Sequence, residues 1–276
     1  MIEATGLNFR YSNGFQALHD INVVLHRGDF ILLTGWNGCG KTTLAKQLNG
    51  LLVPYEGTVT VDGEEVIGTP TSVLAERIGF VFQNPDHQLM GATVAEEMAF
   101  SLKNFGYNKE EIEQRVRETA KNLDLVDILG SSPQVLTSSE KKLVTVASVL
   151  VYEPEVLIID EATANLDRVH TENIVRVLEQ YYREDRIILT ISHNIPVWAE
   201  SRLLNRVVVM DRGRIIDDGP PGKIFTDDRV MDYLMDGVLP VTRIARELSE
   251  WGINRNLYSV GLLERKILKG LRGVHE

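Results

Sequence analysis

The chain has 276 residues, of which 43% are hydrophobic and 25% charged, with a formal charge of -10 and a pI near 5.2. A chain this long buries a sizeable core without disulfides or a structural metal. Its acidic balance argues against nucleic acid as a partner, because nucleic-acid binders present a basic face to phosphates. One cysteine, Cys39, rules out an internal disulfide or a cysteine-rich zinc site and suits a cytoplasmic protein. The first residues lack the basic-then-apolar pattern of a signal peptide, and the apolar runs are too short to span a membrane.

Residues 2–9 and 23–25 are short β-prone pieces, and Phe30–Thr34 is a nearly all-apolar run. Such a run suits a strand buried on both faces in a sheet flanked by helices. A glycine-rich loop over residues 35–40 and a helix over 42–49 follow, closed by Gly50 and Pro54. Residues 92–125 are predicted mostly helical, with Glu, Lys and Arg spaced among apolar positions, and 141–152 form another helix. Val156–Asp160 and residues 187–192 read as buried strands with a helix over 171–182 between them. That strand–helix–strand alternation predicts a parallel sheet. Residues 207–210 and 214–217 flank Asp211-Arg212-Gly213 as a closing hairpin.

Gly219-Pro220-Pro221-Gly222 is the clearest break in composition, and amphipathic helices are predicted near 241–251 and 260–271. From Arg229 onward there are eight basic and six acidic residues, so this tail is +2 while the rest is -12. Two readings fit: a contact surface for a partner or membrane headgroups, or a solvated helical appendage folded back on the body.

Gly35-Trp36-Asn37-Gly38-Cys39-Gly40-Lys41-Thr42 fits the phosphate-loop pattern G-x-x-x-x-G-K-[ST]. Glycines let the backbone wrap phosphate oxygens and present successive N–H donors. Lys41 reaches the β- and γ-phosphates, the Thr42 hydroxyl sits where a Mg²⁺ ligand is needed, and the next helix adds its positive end. Val156–Asp160 then ends in two carboxylates at the carboxyl edge of the sheet, where open α/β sheets bind ligands. Asp160 suits Mg²⁺, through water, and Glu161 suits a general base. His193, after another buried strand, can both donate and accept a proton. Gln83, after residues 78–82, carries an amide able to reach Mg²⁺ or water. Singly, a strand-end His or Gln is more often a hydrogen-bonded structural residue.

Taken in order, these residues resemble the nucleotide-binding subunit of ATP-binding cassette transporters. Tyr11 stands where that family stacks an aromatic ring on adenine; residues 35–43, including Asn37, Gly38, Cys39, Gly40, Lys41, Thr42 and Thr43, resemble its Walker A. Gln83 resembles its Q-loop, residues 156–161 its Walker B, residues 164–167 its D-loop and His193 its switch His. The resemblance covers about residues 2–225, and residues 83–94 and 239–242 look most like energy-coupling factor transporters, which import vitamins or take up cobalt and nickel. It implies an α/β P-loop ATPase with an antiparallel N-terminal β portion, a helical insertion over about 92–152, a cassette over 1–222 and a C-terminal extension over 223–276. It also implies ATP and Mg²⁺, with Thr42, Gln83 and Asp160 toward the metal and Glu161 and His193 toward catalysis. Two ATPases of this family face head to tail, the extension helping them associate. Each ATP lies between one subunit's P-loop and the other's signature loop. Partners then include a transmembrane coupling subunit and a substrate-binding membrane subunit, at the cytoplasmic face of the membrane. The segment after Gln83 would accept a coupling helix; for His87 and Met90 the competing reading is ordinary surface and core.

One element departs from the family. Its signature, Leu-Ser-Gly-Gly-Gln, is here Leu136-Thr137-Ser138-Ser139-Glu140. Glycine permits positive φ and close backbone approach to a γ-phosphate, and serine tolerates both less well. Glu140 brings a negative charge toward the partner's nucleotide. At about 6 Å and an effective dielectric of 20, like unit charges cost about 2–3 kcal/mol, or one to two decades in rate. Since the signature serves the partner's ATP, the expectation is an asymmetric heterodimer with a paralogous ATPase, against a relaxed loop that tolerates Ser-Ser-Glu. Cys39 takes the place of the family's usual Ser as a small residue; a nearby helix N-terminus can also lower a thiol's pKa and make it reactive. Rival readings are a soluble cassette ATPase outside transport, a nucleotide-gated scaffold that does not hydrolyse, and a small-molecule kinase. The ordered set of Gln83, Glu161, Asp167 and His193 argues against the last two, and the lack of a long coiled-coil insertion against the first.

Overall fold

In the computed structural model, residues 1–272 are described apart from Asn165, Asp167 and Asp236. The chain opens with β1 (Ile2–Arg10) and β2 (Gln16–Leu25), then the apolar β3 (Phe30–Thr34), the loop and α1 (Lys41–Leu48). Next come β4 (Glu56–Val61), the two-residue β5 (Glu64–Glu65), α2 (Thr71–Arg77) and β6 (Ile78–Val81). Three helices follow, α3 (Val94–Asn104), α4 (Lys109–Asn122) and α5 (Ser138–Leu150). The alternating part is β7 (Val156–Asp160), α6 (Arg168–Tyr181), β8 (Ile187–Ile191), α7 (Ile195–Ala199), β9 (Arg206–Asp211) and β10 (Arg214–Gly219). The chain continues through α8 (Pro221–Ile224), α9 (Asp228–Met235), α10 (Pro240–Glu247) and α11 (Val260–Arg272).

Two sheets result. One is antiparallel, in the order β2-β1-β4-β5; the other has six strands in the order β10-β9-β3-β8-β7-β6. Within the second, β6, β7, β8, β3 and β9 run parallel and only β10 is antiparallel. The apolar runs belong here because a parallel sheet is covered on both faces. Side chains alternate between those faces. Phe30 and Leu32 of β3, Leu157 and Ile159 of β7, and Val207 and Val209 of β9 pack with the helices. Ile31 and Leu33, Val156 and Ile158, and Val208 and Met210 pack toward the antiparallel sheet and α1. Parallel register also delivers the carboxyl ends of β3, β6, β7 and β8 to one edge, and each of those ends carries a candidate site residue.

Several boundaries differ from the sequence reading. The helical stretch over 92–125 is two helices, broken where Gly106 takes a φ of 82° and Asn108 restarts the helix with a capping box to Glu111. Helix α5 begins three residues before the expected 141, at Ser138. Strand β4 was not apparent in the sequence, because Glu-Gly-Thr-Val-Thr-Val has only two strongly apolar residues; it pairs with β1.

The C-terminal segment folds back on the body. Phe225, Met231, Leu239, Val241, Ala245, Leu257 and Leu263 are buried in the same core as α3–α6. Ile244, Trp251, Val260, Ile267 and Leu268 nevertheless stay exposed on it. Among the described residues no helix is long and apolar enough to cross a membrane.

Candidate nucleotide-binding site

The loop after β3 has a backbone that only glycine permits at two points. Gly35 takes a φ of 143°, and a Cβ there would lie 2.1 Å from the Met210 carbonyl oxygen. Gly40 takes a φ of 106°, with a Cβ position 2.8 Å from the Ala17 carbonyl. The loop is further pinned by Gly213 N–H, which donates to Cys39 O at 2.9 Å. Gly40 is the N-cap of α1; no side chain caps that end, and its first turn holds no acidic residue. The helix therefore turns its first N–H groups and positive end toward the loop, an arrangement suited to an anion. Lys41 is buried, and its ammonium donates to Gly35 O at 2.8 Å and Trp36 O at 3.0 Å.

Around this loop the ends of β6, β7 and β8 converge. Thr42 Oγ1 donates to Asp160 Oδ1 at 3.1 Å. Asp160 is buried, and that burial pushes its carboxyl pKa up, opposed by the Thr42 hydrogen bond and seconded by the charge of Glu161. Glu161 takes a φ of 52°, in the left-handed region, and its N–H donates to Ile191 O at 3.0 Å. This turn aims its carboxylate between two groups. Gln83 Nε2 donates to Glu161 Oε2 at 3.3 Å, and His193 Nδ1 lies 3.4 Å from Glu161 Oε1. The Glu161 side chain is 12% exposed and that of His193 56%. Tyr11 meets Thr43 hydroxyl to hydroxyl at 2.8 Å and packs edge-on against Phe9.

Tyr11, Asn37, Gly38, Gly40, Lys41, Thr42, Thr43, Gln83 and Glu161 line one cleft of about 430 Å³. Exposed Phe15, at the tip of the β1–β2 hairpin, lines it too, and sequence reasoning missed it. Thr137, Ser138, Ser139 and Glu140 are not part of this cleft. Asn165 and Asp167 of the D-loop pattern lie outside the described residues. Lys142 was also missed: it is buried, and its Nζ donates to the carbonyl of Ala164, linking α5 to the segment after Glu161. Burial lowers its pKa, and the Glu161 charge works the other way. Beside Lys141 in the sequence, nothing local marked Lys142 as the buried one of the pair.

The structure bears on three of the alternatives left open by the sequence. Cys39 is buried, and desolvation pushes its thiol above the ordinary range even with Lys41 pulling it down, so the low-pKa reactive thiol does not arise. Ser138 and Ser139 are the first residues of α5 and neither has a positive φ, so glycine's backbone freedom is not needed there. Met90 is no core residue: it is 83% exposed, while neighbouring Leu89 is buried. Met90 rims an apolar groove of about 270 Å³ with Leu51, Phe82, Phe100 and Tyr152.

Comparison with known proteins shows the family to which the chain belongs. The ABC transporter family matches residues 18–164. The energy-coupling factor transporter ATP-binding protein EcfA of Methanothermobacter thermautotrophicus is 37% identical over 229 residues, 82% of this chain and 73% of that protein. EcfA2 of Acetivibrio thermocellus is 33% identical over 279 residues, covering 98% of this chain and 99% of its own. Among solved structures, cbiO1 of Clostridium perfringens, part of the ABC transporter complex cbiONQ, superposes with a TM-score of 0.75 at 32% identity, covering 90% of this chain and 98% of that one. A dimeric ATP-binding cassette bound to ADP and Pi gives a TM-score of 0.72 at 25% identity, covering 80% of this chain and 99% of that one.

Proposed function

The chain belongs to the ABC transporter family of ATPases, and we propose that it is the ATP-hydrolysing subunit of an energy-coupling factor importer that takes up a vitamin or other micronutrient. The observation that carries this reading is that Gln83 and Glu161 share one cleft with the phosphate loop, with His193 set against the Glu161 carboxylate. In that cleft the loop N–H groups, the α1 terminus and Lys41 bind the phosphates. Tyr11 stacks on the base. Thr42, Asp160 and Gln83 supply the oxygen donors that a hard cation such as Mg²⁺ prefers, and the Thr42–Asp160 pair already brings two together. When bound, Mg²⁺ neutralises charge on the β- and γ-phosphates. Glu161 takes the proton of the attacking water as general base, while Gln83 and His193 orient its carboxylate.

Hydrolysis in this reading belongs to a dimer whose second ATPase is a non-identical paralogue, facing this chain's Thr137, Ser138, Ser139 and Glu140. The relatives' names distinguish EcfA1 from EcfA2, which supports paired ATPases. The extension over 223–276 contributes to the dimer contact through its exposed Ile244 and Trp251. The groove at Met90 and Phe100 receives a helix of the transmembrane subunit, which holds the pair at the cytoplasmic face beside a substrate-binding membrane subunit. Co-purification from native membranes tests all of this. A second cassette ATPase with a transmembrane protein is the expected result. A self-dimer with full ATPase activity would overturn the heterodimer and make Ser138-Ser139-Glu140 a competent signature.

A further inference from the structure

The phosphate loop is tied to the C-terminal extension through one aromatic pair. Trp36, the second residue of the loop, donates its indole N–H to the backbone carbonyl of Tyr233 on α9 at 2.6 Å. Their rings meet edge to face with centroids 6.4 Å apart. The Tyr233 hydroxyl in turn donates to Asp211 Oδ1 at 2.9 Å and reaches Met210 O at 3.3 Å. That Met210 carbonyl is the surface on which Gly35 packs, and the same β9–β10 turn holds Cys39 through Gly213. Tyr233 thus touches the loop at Trp36 and the turn that backs the loop. Burial, with the Asp211 carboxylate adding to it, pushes the phenol's pKa up, so its proton stays in place as a donor.

We propose that Tyr233 is a positioning residue for the phosphate loop, so that nucleotide binding and the seating of the C-terminal extension are coupled. This rests on the reading that the loop binds ATP. Lys41 donates its ammonium to the carbonyls of Gly35 and Trp36. As a phosphate draws Lys41 away, those two residues lose a shared hydrogen-bond donor, and Trp36 keeps its place through Tyr233. Coupling between two sites is reciprocal, so a loop steadied by α9 must in turn steady α9 when nucleotide binds.

The test uses the purified full-length chain and a fluorescent N-methylanthraniloyl ATP with Mg²⁺. Tyr233→Ala leaves the backbone carbonyl that accepts from Trp36 but removes both the ring packed on the indole and the hydroxyl bond to Asp211, and is expected to weaken nucleotide affinity about fivefold. Tyr233→Phe keeps the ring against Trp36 and loses only the hydroxyl contacts, so its loss is smaller. Hydrogen exchange supplies the readout that a merely structural role would not move: Mg-ATP slows exchange of the α9 amides in the wild type. Trp36→Phe removes the indole bond at an exposed side chain, which keeps the fold, and is expected to lose that protection. Unchanged affinity in Tyr233→Ala, or equal ATP protection of α9 in Trp36→Phe, overturns the coupling even where thermal stability falls. A wild-type chain that binds no nucleotide overturns the site reading itself, which is a separate result.

Discussion

Thr137 and Glu140 cap their helix reciprocally: Glu140 Oε2 accepts from Thr137 N at 2.8 Å and from the Thr137 hydroxyl at 2.7 Å, while Glu140 N donates to Thr137 Oγ1 at 3.3 Å. This capping box opens α5. The Thr137 N–H first, then its hydroxyl, holds the Glu140 carboxyl below the usual carboxylate range, so its charge is present at neutral pH. The altered signature is therefore a well-formed helix start that carries a negative charge.

Changing Glu140 separates those two properties. Glu140→Gln retains an oxygen for Thr137 and removes the charge; combined with Ser138→Gly and Ser139→Gly, it should raise hydrolysis at the partner's site about tenfold, as about 1.4 kcal/mol of relieved repulsion predicts. Glu140→Ala should instead cost about 1 kcal/mol of stability through the lost cap. Single-turnover assays of the two-ATPase complex check the first, and thermal unfolding the second. An unchanged rate in the triple variant counts against asymmetry.

Glu161→Gln tests the general base. The amide keeps partners for Gln83 and His193 and preserves the backbone turn, so nucleotide affinity should stay within about threefold. Loss of the base should lower hydrolysis about 10²- to 10⁴-fold. A fall of less than tenfold, measured as phosphate release by the assembled dimer, assigns the proton to another group.

The phosphate loop, Asp160, Glu161 and His193 were legible because apolar five-residue runs bounded by turn residues suit strands buried on both faces, and parallel pairing sends their ends to a shared edge. Strand β4 was not, since its polar alternation resembles a surface loop until β1 pairs with it. Thr-x-x-Glu at 137–140 spells the capping box that opens α5, a second role for Glu140 beside the charge it would bring to a partner's nucleotide. The Trp36–Tyr233 contact joins residues 197 positions apart, and no local pattern announces it.

Cys39 should be slow to alkylate. Burial raises its thiol pKa, so the thiolate fraction at neutral pH is below that of a free cysteine. Iodoacetamide labelling of the native chain at pH 7.5 should run at least tenfold slower than in urea, and should speed up as pH rises. Labelling at the unfolded rate would restore the reactive-thiol reading.

Asp62 predicts how the fold responds to acid. Its Oδ1 accepts from the N-terminal ammonium at 2.7 Å, and its Oδ2 meets Arg27 at 3.1 Å and also Arg77. The N-terminal ammonium foremost, with Arg27 and Arg77, holds the carboxyl below its ordinary value, against a smaller push from burial. A carboxyl with a depressed folded-state pKa stabilises the protein above its unfolded pKa, near 4, and that contribution is lost as pH falls through the folded value. The group is partly exposed, so screening keeps the gain to about 1 kcal/mol. Asp62→Asn should therefore lower the melting temperature by about 2 °C at pH 7. The gap between variant and wild type should narrow below pH 4, as the wild-type carboxylate is protonated and both chains present a neutral side chain to the same three cations. A gap that persists unchanged to pH 3 would assign the loss to packing at the β4–β5 turn and remove the ion network from the account.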